Sequence, residues 1–428
     1  MERAQDFVVQ RLGPCTIASP LSGVRFTGDE QHVLFHSDLN EIRRYLDSGL
    51  EPPCFEAAGP REKIYFDPAT LNCGIVTCGG LCPGLNNVIR SVVLSLHHHY
   101  GVQKIYGFPF GYEGLAREFG HQPVLLTPEI VSHINEIGGT LLGSSRGNQD
   151  VAGMVDTLES MKIGILFTIG GDGTQKGALA ISDEAQRRGL KLSVIGIPKT
   201  IDNDISYVQK TFGFETAVSE AERAIYAARA ESVGARNGIG LVKLMGRDSG
   251  FIAAFSVLVG SHVAFCLVPE VPFTLDGLLR ALKERLERRG HAVIVVAEGA
   301  GQDLLQATGE RDASGNIKYG DIGIFLRDRI KEHFKRIGTV INLKYIDPSY
   351  TIRSQPANPH DSALCLLFGH NAVHAGMAGR TGMIVGFWNH QFTHVPIPLA
   401  VSQRKKIDPA SPVWSSVLAA TGQPAVMR

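Results

Sequence analysis

The sequence predicts an α/β fold in which parallel sheets are flanked by helices, and three observations predict it. From Cys73 onward, short apolar runs of strand length alternate with stretches of helical periodicity, the rhythm of βα units. Glycine supplies 48 of the 428 residues without forming a low-complexity tract, which suits many tight strand-to-helix turns. An apolar content of 44% supports a large core, and the length suits two or three domains.

Taken in order, residues 1–70 follow no such rhythm, and 48–63, punctuated by Pro and Gly, read as a linker or an irregular surface cover. Strand-like runs then fall at 74–77, 163–169, 192–197, 239–244, 263–268, 292–297 and 340–346. Most are separated by helical spacing. Leu85, Val88, Ile89, Val92, Val93 and Leu96 share one face, which leaves Asn86, Asn87 and Arg90 off it. Residues 174–188 read as another helix, no internal repeat is found, and the tail beyond Ile397 carries little pattern.

Composition excludes several functions. Lys plus Arg equals Asp plus Glu at 42 each, so no global field draws in nucleic acid or an acidic membrane, and an anionic ligand must be met locally. The start of the chain has no apolar leader, and the longest nearly apolar run, 251–260, is half a membrane span, so a soluble cytoplasmic protein is expected. The seven cysteines include no CxxC pair and read as reduced core thiols. His97, His98 and His99 are successive; helical geometry points them in different directions, which favours a solvated helix end over a metal site.

The apolar run at 163–169 gives way to Gly170, Gly171, Asp172, Gly173 and Thr174. Glycine there lets a ligand approach the main chain, and a helix start offers unpaired N–H groups to phosphate oxygens. Asp172 repels such an anion unless a cation intervenes, so the stretch reads as a nucleotide cradle with a divalent-metal ligand; a tight turn capped at Thr174 accounts for it equally well. Residues 78–90 hold a glycine-rich loop that is neither a Walker A loop nor GxGxxG. Arg146 lies among small residues, placed for a phosphate or simply exposed. Were the chain extended over 196–205, Thr200, Asp202 and Asp204 would alternate onto one side. Metal ligation and general-base work both explain that crowding better than a structural role does. Lys344, Tyr350 and Arg353 are available to an anion, or form an ordinary basic loop. Together, a cradle, a metal-binding acid, a base and cations for a second phosphate fit phosphoryl transfer.

The stretches TCGGLCPGLN, GGDGT, PKTIDND, LVKLMGR, VAEG and YIDPSYTIR, in this order, resemble the phosphofructokinases over about residues 66–397, and most of all their longer ATP-dependent class. The resemblance implies an α/β protein of two doubly wound, Rossmann-like lobes: an N-terminal extension at 1–70, a nucleotide-binding lobe at 71–212, a sugar-phosphate-binding lobe at 213–352 and a segment at 353–428 packing back across the lobes. It implies a cytoplasmic, allosteric, Mg2+-dependent homo-oligomer, dimer or tetramer, that takes ATP and fructose 6-phosphate and neither nucleic acid nor membrane. Motif by motif, Asp202 becomes the base for the sugar's 1-hydroxyl, Thr200 the contact to the phosphoryl group, and Asp172 the magnesium ligand. Gly80, Arg146, Gly147, Gly171, Asp172, Gly173 and Thr174 would hold ATP. Thr200, Ile201, Asp202, Met245, Gly246, Arg247, Glu298, Tyr350, Thr351, Ile352 and Arg353 would hold fructose 6-phosphate.

Two features qualify the likeness. Gly238 stands where short bacterial relatives have an arginine, with Arg236 close by, which leaves the part of a neighbouring subunit open. Lys199 occurs in pyrophosphate-dependent relatives too, but those usually carry an aspartate where Gly173 stands, and an acid there would repel a nucleotide's α-phosphate. Gly173 therefore favours ATP over the alternative, a pyrophosphate-dependent enzyme. A silent sugar-phosphate sensor would not require Asp202, Thr200 and Asp172 together.

Overall fold

The computed structural model describes residues 2–147, 149–260, 262–305, 309–310 and 317–428. The chain divides into two compact units: Met1–Thr200, Ile205–Gly213 and Gln355–Gln403 form the larger, and Ile201–Asp204, Phe214–Ser354 and Arg404–Arg428 the smaller.

In the larger unit, strands Met383–Trp388, Ser193–Pro198, Ile163–Gly170, Asn72–Thr77 and Lys104–Phe108 lie side by side and run parallel. Three of them, Ser193–Pro198, Ile163–Gly170 and Asn72–Thr77, are buried almost throughout, which is why their sequences show unbroken apolar runs rather than alternation. Antiparallel strands extend the sheet at both edges: Val124–Leu125 on one side, and Gln391–Pro396, Cys54–Ala57 and His32–Leu34 on the other. Helix Leu85–Leu94 buries the expected apolar face, yet Asn86 and Asn87 are buried with it. Their amides are satisfied locally, Asn86 by Ile137 and Leu141 main chain and Asn87 by the Ser362 hydroxyl at 2.9 Å. The following turn, Ser95–Tyr100, is π-helical and leaves His98 and His99 exposed.

Residues 48–63 are not the surface cover that their Pro and Gly content predicts. Cys54–Ala57 is a buried strand paired on both sides. Its Glu56 accepts from Arg61 at 2.9 Å and from Arg380 at 2.6 Å, and all three residues are buried. The segment looks polar because its charges are neutralised inside the unit rather than by solvent.

The smaller unit holds a four-stranded parallel sheet in the order Phe265–Leu267, His291–Ala297, Gly238–Leu244 and Asn342–Ile346. Ile239, Leu241, Ile294 and Val296 pack there with Leu282 and Ile330 from the flanking helices Leu275–Arg289 and Ile322–Arg336. All seven cysteines are free thiols, five of them buried. Among the described residues no helix is long and apolar enough to cross a membrane.

Candidate active site

In the larger unit the chain runs outward from Asn72–Thr77 to Lys104–Phe108, then returns to lay Ile163–Gly170 on the opposite side. Such a reversal opens a crevice at the carboxyl ends of the strands. Gly79, at φ +85, follows the first strand, and the Lys199 ammonium passes so close that a Cβ on Gly79 would stand 3.2 Å from it. Lys199 is buried, donates from Nζ to the Gly80 carbonyl at 2.5 Å, and donates its N–H to the Gly170 carbonyl at 3.0 Å. The Ser144 hydroxyl donates to the Gly79 carbonyl at 2.6 Å, and the Gly79 N–H to the Ser145 carbonyl at 2.9 Å. Three loops are thereby tied into one assembly. Arg146 is exposed beside it, and Gly147 has φ +109.

The glycine motif starts its helix two residues earlier than its spacing suggests, at Asp172 in Asp172–Arg187. Asp172, Gly173 and Thr174 therefore form a first turn whose N–H groups have no partner further up the helix. The Asp172 carboxylate pairs with Lys176 at 2.9 Å, one turn along. Two buried side chains that no motif announces brace this turn. The Tyr112 hydroxyl donates to the Thr174 carbonyl at 2.6 Å, and the Gln175 amide to the Gly170 carbonyl at 3.0 Å. Gly170 makes room for Thr174 and Gly177 for Tyr112: a Cβ would stand 2.1 Å from the Thr174 hydroxyl at the one and 2.6 Å from the Tyr112 ring at the other. Gly173 differs, because a Cβ there meets nothing within 4 Å and its backbone is not left-handed. Nothing within the fold requires glycine at 173.

The chain passes into the smaller unit after Thr200. The expected extended run is not formed there. Ile201 and Asp202 lie in a turn and Asn203 is left-handed at φ +52, so the alternation of Thr200, Asp202 and Asp204 is broken. Asp204 turns inward to Arg404, at 2.5 Å. Burial pushes the Asp202 carboxyl well above the usual range, and the carboxylates of Asp204 and Glu298 push it further. Among the described residues no three His, Cys, Asp or Glu side chains group to hold a metal, so these acids form no all-protein cage.

Two strand ends in this unit are knitted together. The Glu298 N–H donates to the Leu244 carbonyl at 2.9 Å and the Gly299 N–H to the Gly246 carbonyl at 3.0 Å, which sets Met245, Gly246 and Arg247 beside Glu298. Gly246 has φ +127, and a Cβ on Gly299 would fall 1.8 Å from the Arg247 carbonyl, so neither position admits a side chain. The Arg247 guanidinium lies 4.5 Å over the Tyr319 ring and donates to the Ile317 carbonyl. Burial raises the Glu298 carboxyl. Lys243, on the same strand, is held between Asp321 and Asp347 at 2.8 Å each; burial alone would weaken its hold on the proton, but the two carboxylates keep it firmly charged. Asp347 also accepts from the Ser349 main chain and hydroxyl, which starts the short helix Ser349–Arg353. Ile352 anchors this helix in the core, Thr351 is exposed, and Arg353 stacks 4.6 Å over the exposed Tyr350 ring. Lys344 is exposed on the preceding strand.

Residues 72–376 match the family model described as phosphofructokinase, and the chain belongs to the phosphofructokinase family. A protein of Borreliella burgdorferi named ATP-dependent 6-phosphofructokinase is 50% identical over 439 residues, covering 99% of this chain and 98% of that one. Its namesake in Amycolatopsis methanolica is 47% identical over 438 residues, covering 98% and 95%. Among solved structures, a pyrophosphate-dependent phosphofructokinase of Marinobacter aquaeolei superposes with a TM-score of 0.68 over 83% of this chain and 92% of that one. Its 19% identity makes that likeness one of fold.

Proposed function

We propose that this chain is an ATP:fructose 6-phosphate 1-phosphotransferase, moving the γ-phosphoryl group of ATP to the 1-hydroxyl of fructose 6-phosphate to give fructose 1,6-bisphosphate and ADP. The observation that carries the proposal is 50% identity along nearly the whole chain to a protein named for that activity. The Gly79–Gly80 loop, Arg146, Gly147 and the turn from Gly171 to Thr174 take the ATP phosphates, largely through main-chain N–H groups. A kinase of this family requires a divalent metal, and Mg2+ suits the residues present. Mg2+ is commonly held by one or two carboxylates plus substrate phosphates, and Asp172 offers one carboxylate at the cradle, with no all-protein cage among the described residues. Bound by Asp172, the ion supplies charge neutralisation at the donor oxygens.

Asp202 accepts the proton of the 1-hydroxyl, and its raised proton affinity makes it a stronger base than an ordinary carboxylate. Thr200 contacts the phosphoryl group in transfer. Glu298 accepts from sugar hydroxyls, with Ile201, Met245, Gly246, Thr351 and Ile352 lining the sugar. Arg247, Tyr350 and Arg353 meet the 6-phosphate, which carries nearly two charges near neutrality. Gly173 leaves space for the nucleotide's α-phosphate. Assays with ATP or pyrophosphate as sole donor test this reading: turnover with ATP alone is expected, and comparable turnover with pyrophosphate would overturn the choice of donor. Lys199, placed against Gly80, is the feature that favours pyrophosphate. The same reading makes the protein a cytoplasmic homo-oligomer, dimer or tetramer, which light scattering checks.

A further inference from the structure

A segment near the end of the chain reaches the smaller unit's acidic turn without any sequence motif. Arg404 Nη1 holds the Asp204 carboxylate at 2.5 Å, and Arg404 Nε lies 3.4 Å from Asp248. The main chain beyond it is fastened as well. The Lys405 N–H donates to the Asp204 carbonyl at 2.9 Å, and the Lys405 carbonyl accepts from the Ser249 hydroxyl. Glu270 accepts the Ile407 N–H at 2.9 Å and the Gly250 N–H at 2.9 and 3.1 Å. Residues 404–407 thus tie the turn that carries Asp202 to the loop that follows Arg247.

The charges facing Asp202 are unequal. Asp204 from its own turn and Glu298 from the end of His291–Ala297 oppose its ionisation, while a main-chain hydrogen bond from Arg247 and the charge of Arg404 favour it. Lys405 adjoins Asp204, and its amine lies 5.4 Å over the Phe251 ring. Burial brings that amine down to about 7, with Asp204 resisting the fall, so it carries only part of a charge near neutral pH. Lys405 is therefore a poor substitute for a permanent guanidinium.

We propose that Arg404 is a positioning residue for phosphoryl transfer: through its ion pair with Asp204 it holds the turn that presents Asp202 and offsets the charge of the second carboxylate. The proposal rests on Asp202 being the base. Its test is steady-state kinetics against pH on full-length Arg404→Gln, Asp204→Asn and the double variant, with Asp202→Asn in parallel. Arg404→Gln should lower kcat about ten- to a hundredfold, with both KM values within a few-fold of normal. It should also move the acidic limb of the kcat profile upward by about one pH unit, because Asp204 with less of its charge offset keeps Asp202 protonated to higher pH. Asp204→Asn should move that limb downward. The double variant removes both charges and should place the limb between those of the two single variants.

A structural strut would lose kcat without moving the limb, and an unmoved limb overturns the proposal. So does a double variant whose limb lies no lower than that of Arg404→Gln alone, or a rise in the KM for fructose 6-phosphate at unchanged kcat. If Arg404→Gln does not fold, Arg404→Lys is read instead: it keeps the charge, so its limb should stay in place, and a displaced limb counts against the proposal. Should Asp202→Asn retain near-normal kcat, the base assignment falls and takes this proposal with it. Should Asp202→Asn be inactive while Arg404→Gln behaves as wild type, only the role of Arg404 falls.

Discussion

The candidate site residues of the larger unit and those of the smaller unit are held by different materials. In the larger unit the work falls to main chain and glycine, and the side chains nearest the cradle, Tyr112, Gln175, Ser144 and Lys199, all donate to carbonyls. In the smaller unit it falls to charged side chains held by other charges or by aromatic rings: Lys243 between two aspartates, Arg404 on Asp204, Arg247 and Arg353 over tyrosine rings. A surface of N–H groups recognises where oxygens lie and fails when an atom is added. A surface of charges recognises how much charge is present and fails when one is removed.

Substitutions sharpen that contrast, beginning with the largest effect. Asp202→Asn removes the base and should lower kcat by roughly 10²–10⁴-fold while leaving substrate affinity largely intact; near-normal kcat would remove the assignment. Gly173→Asp adds atoms to the cradle. Its Cβ has open space, and an acid in a first helical turn suits the helix dipole, so the melting temperature should hold. Two like charges about 4 Å apart cost about 4 kcal/mol at an effective dielectric near 20, and kcat/KM for ATP should fall on the order of 10²–10³-fold once solvent screening is allowed for. ATP turnover within a few-fold of normal would break the account of donor choice.

Arg353→Ala subtracts a charge from the smaller unit. Loss of a charge-assisted contact of about 1.5–3 kcal/mol predicts a ten- to hundredfold rise in the KM for fructose 6-phosphate, with the KM for ATP nearly constant. A shift in the ATP value instead would assign Arg353 to the ATP-binding residues. Tyr112→Phe should have the smallest effect on turnover. It strips the Thr174 carbonyl of a buried donor, which costs about 1–3 kcal/mol of stability, read from denaturant midpoints. Any kinetic change should fall on ATP and spare fructose 6-phosphate.

What could be read in advance follows from burial. The central parallel strands announce themselves because both faces are apolar, and the glycine motifs because close packing excludes every other residue at several of their positions. The hairpin Met383–Trp388 to Gln391–Pro396 is silent for a stated reason. Its two loop residues, Asn389 at φ +45 and His390 at φ +61, adopt the left-handed pair usually marked by Asn-Gly, and a histidine in second place hides the turn. Cys54–Ala57 is hidden by its buried glutamate. Spacing alone predicts an alternation of Thr200, Asp202 and Asp204 that the structure does not form, because a left-handed Asn203 cannot be foreseen from spacing. Tyr112 and Arg404 carry no pattern at all; each matters only through a partner more than sixty residues away. The roles that the residues alone left open came from the family likeness of six short stretches.

The buried cluster of Glu56, Arg61 and Arg380 has a consequence for the timing of synthesis. Glu56 and Arg380 are 324 residues apart, and the strand that carries Glu56 seats against Gln391–Pro396. On a ribosome, residues 54–57 emerge early and must wait, with one strand edge open and a carboxylate still in water, while every strand of the smaller unit is made. A strand of this unit that is made early is closed by one made more than three hundred residues later. A nascent chain stalled before Gln391 should therefore be cleaved at that open edge by a protease that leaves the finished chain intact, since an unpaired edge is the template for strand exchange and the point of entry for attack.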